Sequence, residues 1–331
     1  MNNMKKDNYR SRLLFLLIAI LWIGCAIAQD TIRVGVAWTP WLTNDDRVVQ
    51  AIEKAGGEAV FLEQVRHADL DYDSIMVQSK YVDENGILLP AYANLVKSTT
   101  WHGSNVSQVL QGVDAVVFLG GGDICPTLFR VPEPWHGLEE DKNFDATRDI
   151  SEYLTMTYCL DNDIPILGLC RGIQMLGVVS GTSLIQDLGN YFAAKGVNYE
   201  NLHRAIPDDN GERHYMSHDV VVTDPNSHFY RIVVGDTLKN VPSWHHQVVG
   251  DVTGTPLKVT GVTPTQGEDI IEVIERTDKT FAMGVQFHPE EAVRKQIAEE
   301  EDANNFMQLY EGVGYFRALI NHSKKLKKQK Q

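Results

Sequence analysis

The chain is short of cysteine, of positive charge and of long apolar runs. Four cysteines in 331 residues, with no C-x-x-C pair among them, leave no basis for a disulfide framework or a thiolate zinc finger. Lys and Arg number 30 against 44 Asp and Glu, a formal net charge of -14. A negative field of that size argues against nucleic acid or an anionic membrane as a partner. No internal repeat, low-complexity tract or H-E-x-x-H helix is present. What is there, 43% hydrophobic and 22% charged residues, suffices to bury one large core, as expected of a soluble single-domain enzyme.

The start of the chain has the character of an address. Lys5, Lys6, Arg10 and Arg12 precede an apolar run at 13–24, short for a membrane span and of the right length for a signal h-region. Ala26-Ile27-Ala28 fits a small-x-small cleavage site. The expectation is a signal peptide over 1–28, a mature start at Gln29, and an exported protein, periplasmic or secreted, with no stable span once the signal is removed. A lipoprotein signal ending at Cys25 and a retained anchor stay open as alternatives. The mature chain then keeps Cys125, Cys159 and Cys170, an odd number.

Periodicity predicts a strand at 32–37, a helix at 45–55 stopped by Gly56 and Gly57, and a second strand at 58–62. A β-branched run then ends in Gly120, Gly121 and Gly122, an amphipathic helix follows over 145–160, and another apolar strand ends at Cys170. Strands alternating with helices imply a doubly wound, mostly parallel α/β sheet, with ligands beyond the carboxyl ends of its strands. After Asp187 the pattern turns to short β segments, at 219–222, 256–260 and 270–275, before a last helix at 304–320. The segment 64–112 reads as a long insertion, a lid or a substrate selector, and the basic end 321–331 as a solvated tail.

Three motifs fall at that sheet edge. In PILGLCRGIQ, at 165–174, an apolar strand breaks at Cys170 into a helix-like run, so the cysteine is either a structural residue of the core or a nucleophile on an elbow. On an elbow the amides of the next helix favour thiolate and can donate to an oxyanion. FAMGVQFHPE, at 281–290, delivers His288 and Glu290 either as a surface turn or as a dyad in which the carboxylate orients the imidazole. The triple glycine serves equally as a plain turn, a phosphate loop or an oxyanion loop. Five further histidines, His203, His214, His218, His245 and His246, have spacings that fit no finger, and no metal is expected.

Taken together, the glycine-rich strand end, the cysteine elbow and the late His-x-Glu resemble the class I glutamine amidotransferase-like superfamily, and within it the peptidase C26, γ-glutamyl-γ-aminobutyrate hydrolase-like branch. The likeness runs along 145–188, through Arg148, Asp149, Glu152, the CRG-x-Q core and G-T-S-L-x-Q-D-L. It continues in SWHHQ at 243–247 and GVQFHPE. Two positions depart from the branch, Pro242 and Gly177, each standing where Asn is usual. The resemblance implies a flavodoxin-like fold over 29–320 and a Cys170, His288, Glu290 triad. It also implies an oxyanion hole from the backbone amides of Gly121 and Arg171, and substrate contacts from Gln174, Ser243 and His245, with His246 packed inward. The activity it implies is cofactor-free hydrolysis of a small γ-glutamyl compound through a thioester. A hydrolase of cell-wall γ-glutamyl peptides, a glutaminase subunit and a binding module without turnover are the alternatives.

Overall fold

Three short apolar runs, AVVF, ILGL and AMGV, are buried along their whole length. That is the pattern of parallel strands covered on both faces, with no polar side to alternate toward. The computed structural model describes residues 31–40, 46–142 and 144–330. The expected signal, the Gln29 start and the alternative at Cys25 lie outside those residues. No described helix is long and apolar enough to cross a membrane.

In chain order the strands begin with β1 (Ile32–Val36), β2 (Gly57–Phe61), β3 (Tyr72–Asp73), β4 (Met76–Val77), β5 (Ala115–Phe118), β6 (Ile166–Leu169) and β7 (Leu184–Ile185). They continue with β8 (Met216–Val222), β9 (Thr237–Ser243), β10 (Val248–Val249), β11 (Leu257–Thr265), β12 (Glu268–Arg276) and β13 (Ala282–Val285). The helices are α1 (Asp46–Lys54), α2 (Pro90–Thr99), α3 (Val106–Val109), α4 (Ala146–Asp161), α5 (Arg171–Val179), α6 (Leu188–Ala194), α7 (His228–Val233), α8 (Pro289–Ile297) and α9 (Leu309–Lys330).

One nine-stranded sheet runs β2-β1-β5-β6-β13-β12-β11-β8-β9. Its first five strands pair in parallel, and from β13 onward every pairing is antiparallel. The expected α/β class and the β-rich C-terminal part are both present, fused into one sheet. Side chains alternate between two cores: Val116, Phe118 and Ile166 point to one face, Ala115, Val117 and Leu167 to the other. The segments predicted at 256–260 and 270–275 are longer than their patterns suggested. β11 and β12 form a hairpin closed at Gln266 and Gly267, both with positive φ, as a tight two-residue turn requires.

One other expectation changes, at the basic end, while the segment 64–112 takes definite form. The segment 64–112 carries its own elements and is tied to α4, where Val65 N–H and Val77 N–H donate to Ser151 Oγ and Thr147 Oγ1 at 3.0 and 2.9 Å. The basic end is helix, not tail: α9 runs to Lys330, Ser323 is buried, and Lys327 Nζ lies 3.0 Å from Asp114 Oδ2.

Candidate active site

Glycine decides where Cys170 sits. A Cβ on Gly168 would stand 2.5 Å from the Gly172 backbone, one on Gly172 2.6 Å from the Phe118 carbonyl oxygen, and one on Gly284 2.6 Å from Ile173 Cβ. Their absence lets α5 press onto β5, β6 and β13, so the connection must turn within one residue. That residue is Cys170, the N-cap of α5, with φ 49° and ψ -102°. Such a backbone costs a non-glycine residue about 1–3 kcal/mol and persists only where packing over-determines it.

Cys170 opens onto a cavity of about 740 Å³ shared by Gly120, Gly121, Tyr215, Trp244 and His288. Its thiol lies 3.7 Å from the Trp244 carbonyl oxygen, and Gln286 Nε2 lies 3.7 Å from Sγ. His288 and Cys170 flank one point, since a Cβ on Gly120 would meet His288 Cε1 at 2.9 Å and Cys170 Cβ at 3.4 Å. His288 Nδ1 is 2.7 Å from Glu290 Oε1. Read as one extended segment, 281–290 would set His288 and Glu290 on the same side, two residues apart; the pair forms instead at the start of a helix. His288 is the N-cap of α8 with Pro289 at the first helical position, and Glu290 reaches back from the first turn. The backbone N–H of His288 donates to Pro242 O at 2.9 Å, which ties the ring to the residue that departs from the branch pattern. Burial would lower the imidazole pKa, but Tyr215, Glu290 and Cys170 outweigh it and hold His288 well above the usual value.

The glycine loop is held from behind. Arg148 Nη2 donates to the Leu119 and Gly120 carbonyls at 3.2 and 2.8 Å. Gly121 has φ +148°, and a Cβ there would collide with the Arg148 guanidinium. In a trans peptide N–H and C=O point opposite ways, so with the Gly120 carbonyl on Arg148 the Gly121 N–H aims away from it. Arg148 also pairs with Glu152, and Arg171 with both Glu152 and Asp149, in a cluster with no side chain more than 6% exposed. The Arg171 side chain therefore points inward, leaving its main-chain amide at the first position of α5 beside the thiol.

A second cavity of about 270 Å³ adjoins the first through Gly121, Asp123, Cys170 and Trp244. Gln174 lines it, and its Nε2 donates to Gln247 O at 3.1 Å. Both histidines of SWHHQ line this cavity, the His246 side chain more exposed than that of His245. His246 lines this cavity between Asp123 and Asp187, at 3.1 and 3.2 Å, and those carboxylates outweigh burial to raise it to about 9. The His245 ring is turned into the interior, its Nδ1 3.1 Å from Gln247 O. Ser243 is not brought to either cavity: it is fully buried and its hydroxyl donates to His203 O at 2.9 Å. Alternation along β9 and its extension sets this order, a register that no local pattern in SWHHQ reveals. Tyr215, Gln286, Asp123 and Arg204, which sequence reasoning missed, come from irregular segments or from a strand end whose apolar run drew attention elsewhere.

With this geometry in place, the Peptidase C26 profile matches residues 64–290. The chain belongs to the Peptidase C26 family. The matched span includes the whole segment 64–112. Among curated relatives, Protein NtpR of Enterococcus hirae is 33% identical over 185 residues, 56% of this chain and 70% of that protein. The γ-glutamyl-γ-aminobutyrate hydrolase PuuD of Escherichia coli K12 is 28% identical over 194 residues, 56% of this chain and 68% of its own. PurLQS from Thermotoga maritima superposes with a TM-score of 0.50 at 14% identity, covering 88% of this chain and 98% of the other. At that identity the likeness shows the fold alone.

Proposed function

We propose that this C26 protein is a γ-glutamyl hydrolase whose nucleophile is Cys170. The observation that carries the reading is a cysteine held at positive φ on a helix N-terminus, at the mouth of a cavity shared with a histidine that a carboxylate fixes at 2.7 Å. His288 takes the thiol proton, and the thiolate attacks the side-chain amide carbon of a γ-glutamyl compound. The C–N bond breaks, the amine leaves with the proton returned by His288, and a γ-glutamyl thioester remains. Water then loses a proton to His288, attacks the thioester and releases glutamate and the thiol. The oxyanion lies between the main-chain amides of Gly121 and Arg171, each such donor worth about 3 kcal/mol. Glu290 orients the ring and stabilises its charged form.

The second cavity suits the α-amino acid head of the substrate. Asp123 Oδ2 is a buried acceptor without a partner, and Arg204, whose guanidinium pairs with Asp141 at 2.9 and 3.0 Å, lines the same cavity, so both signs of charge are present. Glutamate release from a panel of γ-glutamyl amines and peptides, by the protein alone, tests the reading. Turnover of glutamine only, and only with a synthase partner, would favour the glutaminase alternative. Export belongs to the same proposal, supported by the basic-then-apolar start of the sequence. N-terminal mass spectrometry should find Gln29; a lipid on Cys25 would make it an exported lipoprotein instead, and an intact Met1 in a soluble cytoplasmic fraction overturns export.

A further inference from the structure

Behind the catalytic strand ends, His203, His218, His245 and Glu272 meet, although they come from four separate stretches of chain. His218 stands on β8 and Glu272 on β12, while His203 and His245 lie in loops. His203 and Glu272 are fully buried and His245 is 3% exposed. Three atoms at the centre, His245 Nε2 and both carboxylate oxygens of Glu272, have no hydrogen-bond partner. Unpaired polar atoms so deep are costly and call for an explanation.

The outer contacts fix which ring nitrogens carry hydrogen. Thr265 Oγ1 donates to the Thr263 carbonyl and so accepts from His203 Nε2, 2.9 Å away. Thr263 Oγ1 donates to the Asp219 carbonyl and accepts from His218 Nδ1 at 3.1 Å. His245 Nδ1 faces the Gln247 carbonyl at 3.1 Å and must donate to it. Each neutral ring therefore turns a lone pair inward, toward the others and toward a carboxylate. Three lone pairs and an anion in a dry space repel one another unless a cation lies between them.

The spacing fits one. Glu272 Oε1 lies 3.1, 3.6 and 3.4 Å from His203 Nδ1, His218 Nε2 and His245 Nε2, and His203 Nδ1 lies 3.2 Å from His218 Nε2. A tetrahedron with metal–ligand bonds of about 2.0–2.1 Å has edges of about 3.3 Å. We propose that these four side chains form a closed tetrahedral site for a divalent cation, with zinc the best match to three imidazoles and a carboxylate. Its outer hydrogen bonds to Thr265, Thr263 and Gln247 are the orienting shell such ligands need. With four protein ligands it is structural. It fastens the irregular stretch 195–215 to the sheet, and with it Arg204 and Tyr215, which line the two cavities. His203 O also accepts from Ser243 Oγ and His245 N–H, so the same fastening holds the backbone that ends at the Trp244 carbonyl beside Cys170.

The test uses the full chain stripped with a chelator and titrated with cobalt(II), read by absorption, and with zinc, read by calorimetry and thermal melting. The expected result is one ion per chain, tetrahedral cobalt bands without a sulfur charge-transfer band, and a melting temperature raised by roughly 5–10 °C on zinc saturation. Glu272→Gln and His218→Gln should each weaken cobalt binding by about 100-fold or more, while Cys170→Ala binds unchanged. If Glu272→Gln fails to fold, His218→Gln, at the more exposed edge, carries the comparison. Failure of the stripped chain to refold, with recovery on adding zinc, supports the site equally. A stripped protein whose melting zinc does not move overturns it, because the cluster then holds a shared proton. So does a cobalt spectrum lost in Cys170→Ala and kept in His218→Gln.

Discussion

Glu290 and Glu272 are both buried carboxylates facing imidazole, yet the rings beside them are driven in opposite directions. Glu290 meets one ring, 2.7 Å away, and His288 is held well above the usual imidazole value. Glu272 is shared by three rings at 3.1–3.6 Å, and burial holds all three below it. One carboxylate can compensate one imidazolium, and a ring at a cavity wall can pass that proton on. One carboxylate cannot compensate three imidazolium ions in a dry interior, and there the outer hydrogen bonds have already turned the ring hydrogens outward. A His–Glu contact therefore means little until the ratio of partners and the far side of each ring are known.

The comparison breaks hardest where a proton must move. On the proposed mechanism Cys170→Ala and His288→Ala should each lower kcat/KM for a γ-glutamyl probe by about 10⁴-fold or more, about 5.5 kcal/mol or above. Cys125→Ala and Cys159→Ala should keep most activity, because both thiols are fully buried and burial pushes both up. An inactivating iodoacetamide label on Cys125 or Cys159 would sink the assignment of the nucleophile.

A third buried carboxylate, Glu152, sharpens the contrast because arginines answer it. Arg148 and Arg171 both pair with it, and no imidazole does. Glu152→Gln should cost about 3–5 kcal/mol in denaturant unfolding, the penalty of leaving a guanidinium buried without its anion. A loss under about 1 kcal/mol would mean that Arg148 does not depend on Glu152 to hold the glycine loop.

Glu290→Gln should fall below both, with about a 100-fold loss of turnover, about 2.7 kcal/mol, and a smaller one on top of Cys170→Ala. The pH dependence has a definite sign. Because His288 is raised in the fold, its contribution to stability is complete below the ordinary imidazole value of about 6.5 and is lost as pH rises through the raised one. The stability gap between wild type and Glu290→Gln should thus be widest near about pH 6 and close at alkaline pH. A gap that widens with rising pH would show that Glu290 does not hold a proton on the ring.

What the sequence made legible follows the same division. The middle of the parallel half could be read because β5 and β6 are buried runs that end in the triple glycine and in Cys170, and the elbow is where such a run stops. Cys170, His288 and Glu290 were each ambiguous alone, and the resemblance of the combined motifs linked segments more than 100 positions apart. The cluster around Glu272 offered no such handle, since its residues span 203–272 and its ligand atoms are brought together only by the register of β8, β11 and β12. Gly261 and Pro264 made β11 look short, although a register shift absorbs the glycine. In α4 polar residues pair with one another, so a helix that reads as amphipathic is buried at all but Tyr158 and Asp161.

The smallest effect is expected at a carboxylate that water can reach. Asp114 accepts from Arg33 N–H at 2.9 Å and from Lys327 Nζ at 3.0 Å, and the lysine side chain is 32% exposed. The lysines of α9 hid this contact from sequence reasoning, because a run such as KKLKKQK looks solvated whether or not one of its members is docked. The ammonium gives up little hydration to make the pair, so Lys327→Ala should cost no more than about 1 kcal/mol, and less as salt screens the wild-type pair. Turnover should not change, since neither residue lines the cavities at Cys170. A loss above about 2 kcal/mol that salt does not reduce would place this pair with the buried carboxylates. The end of α9 would then be an anchor for β5, the strand that leads into the triple glycine.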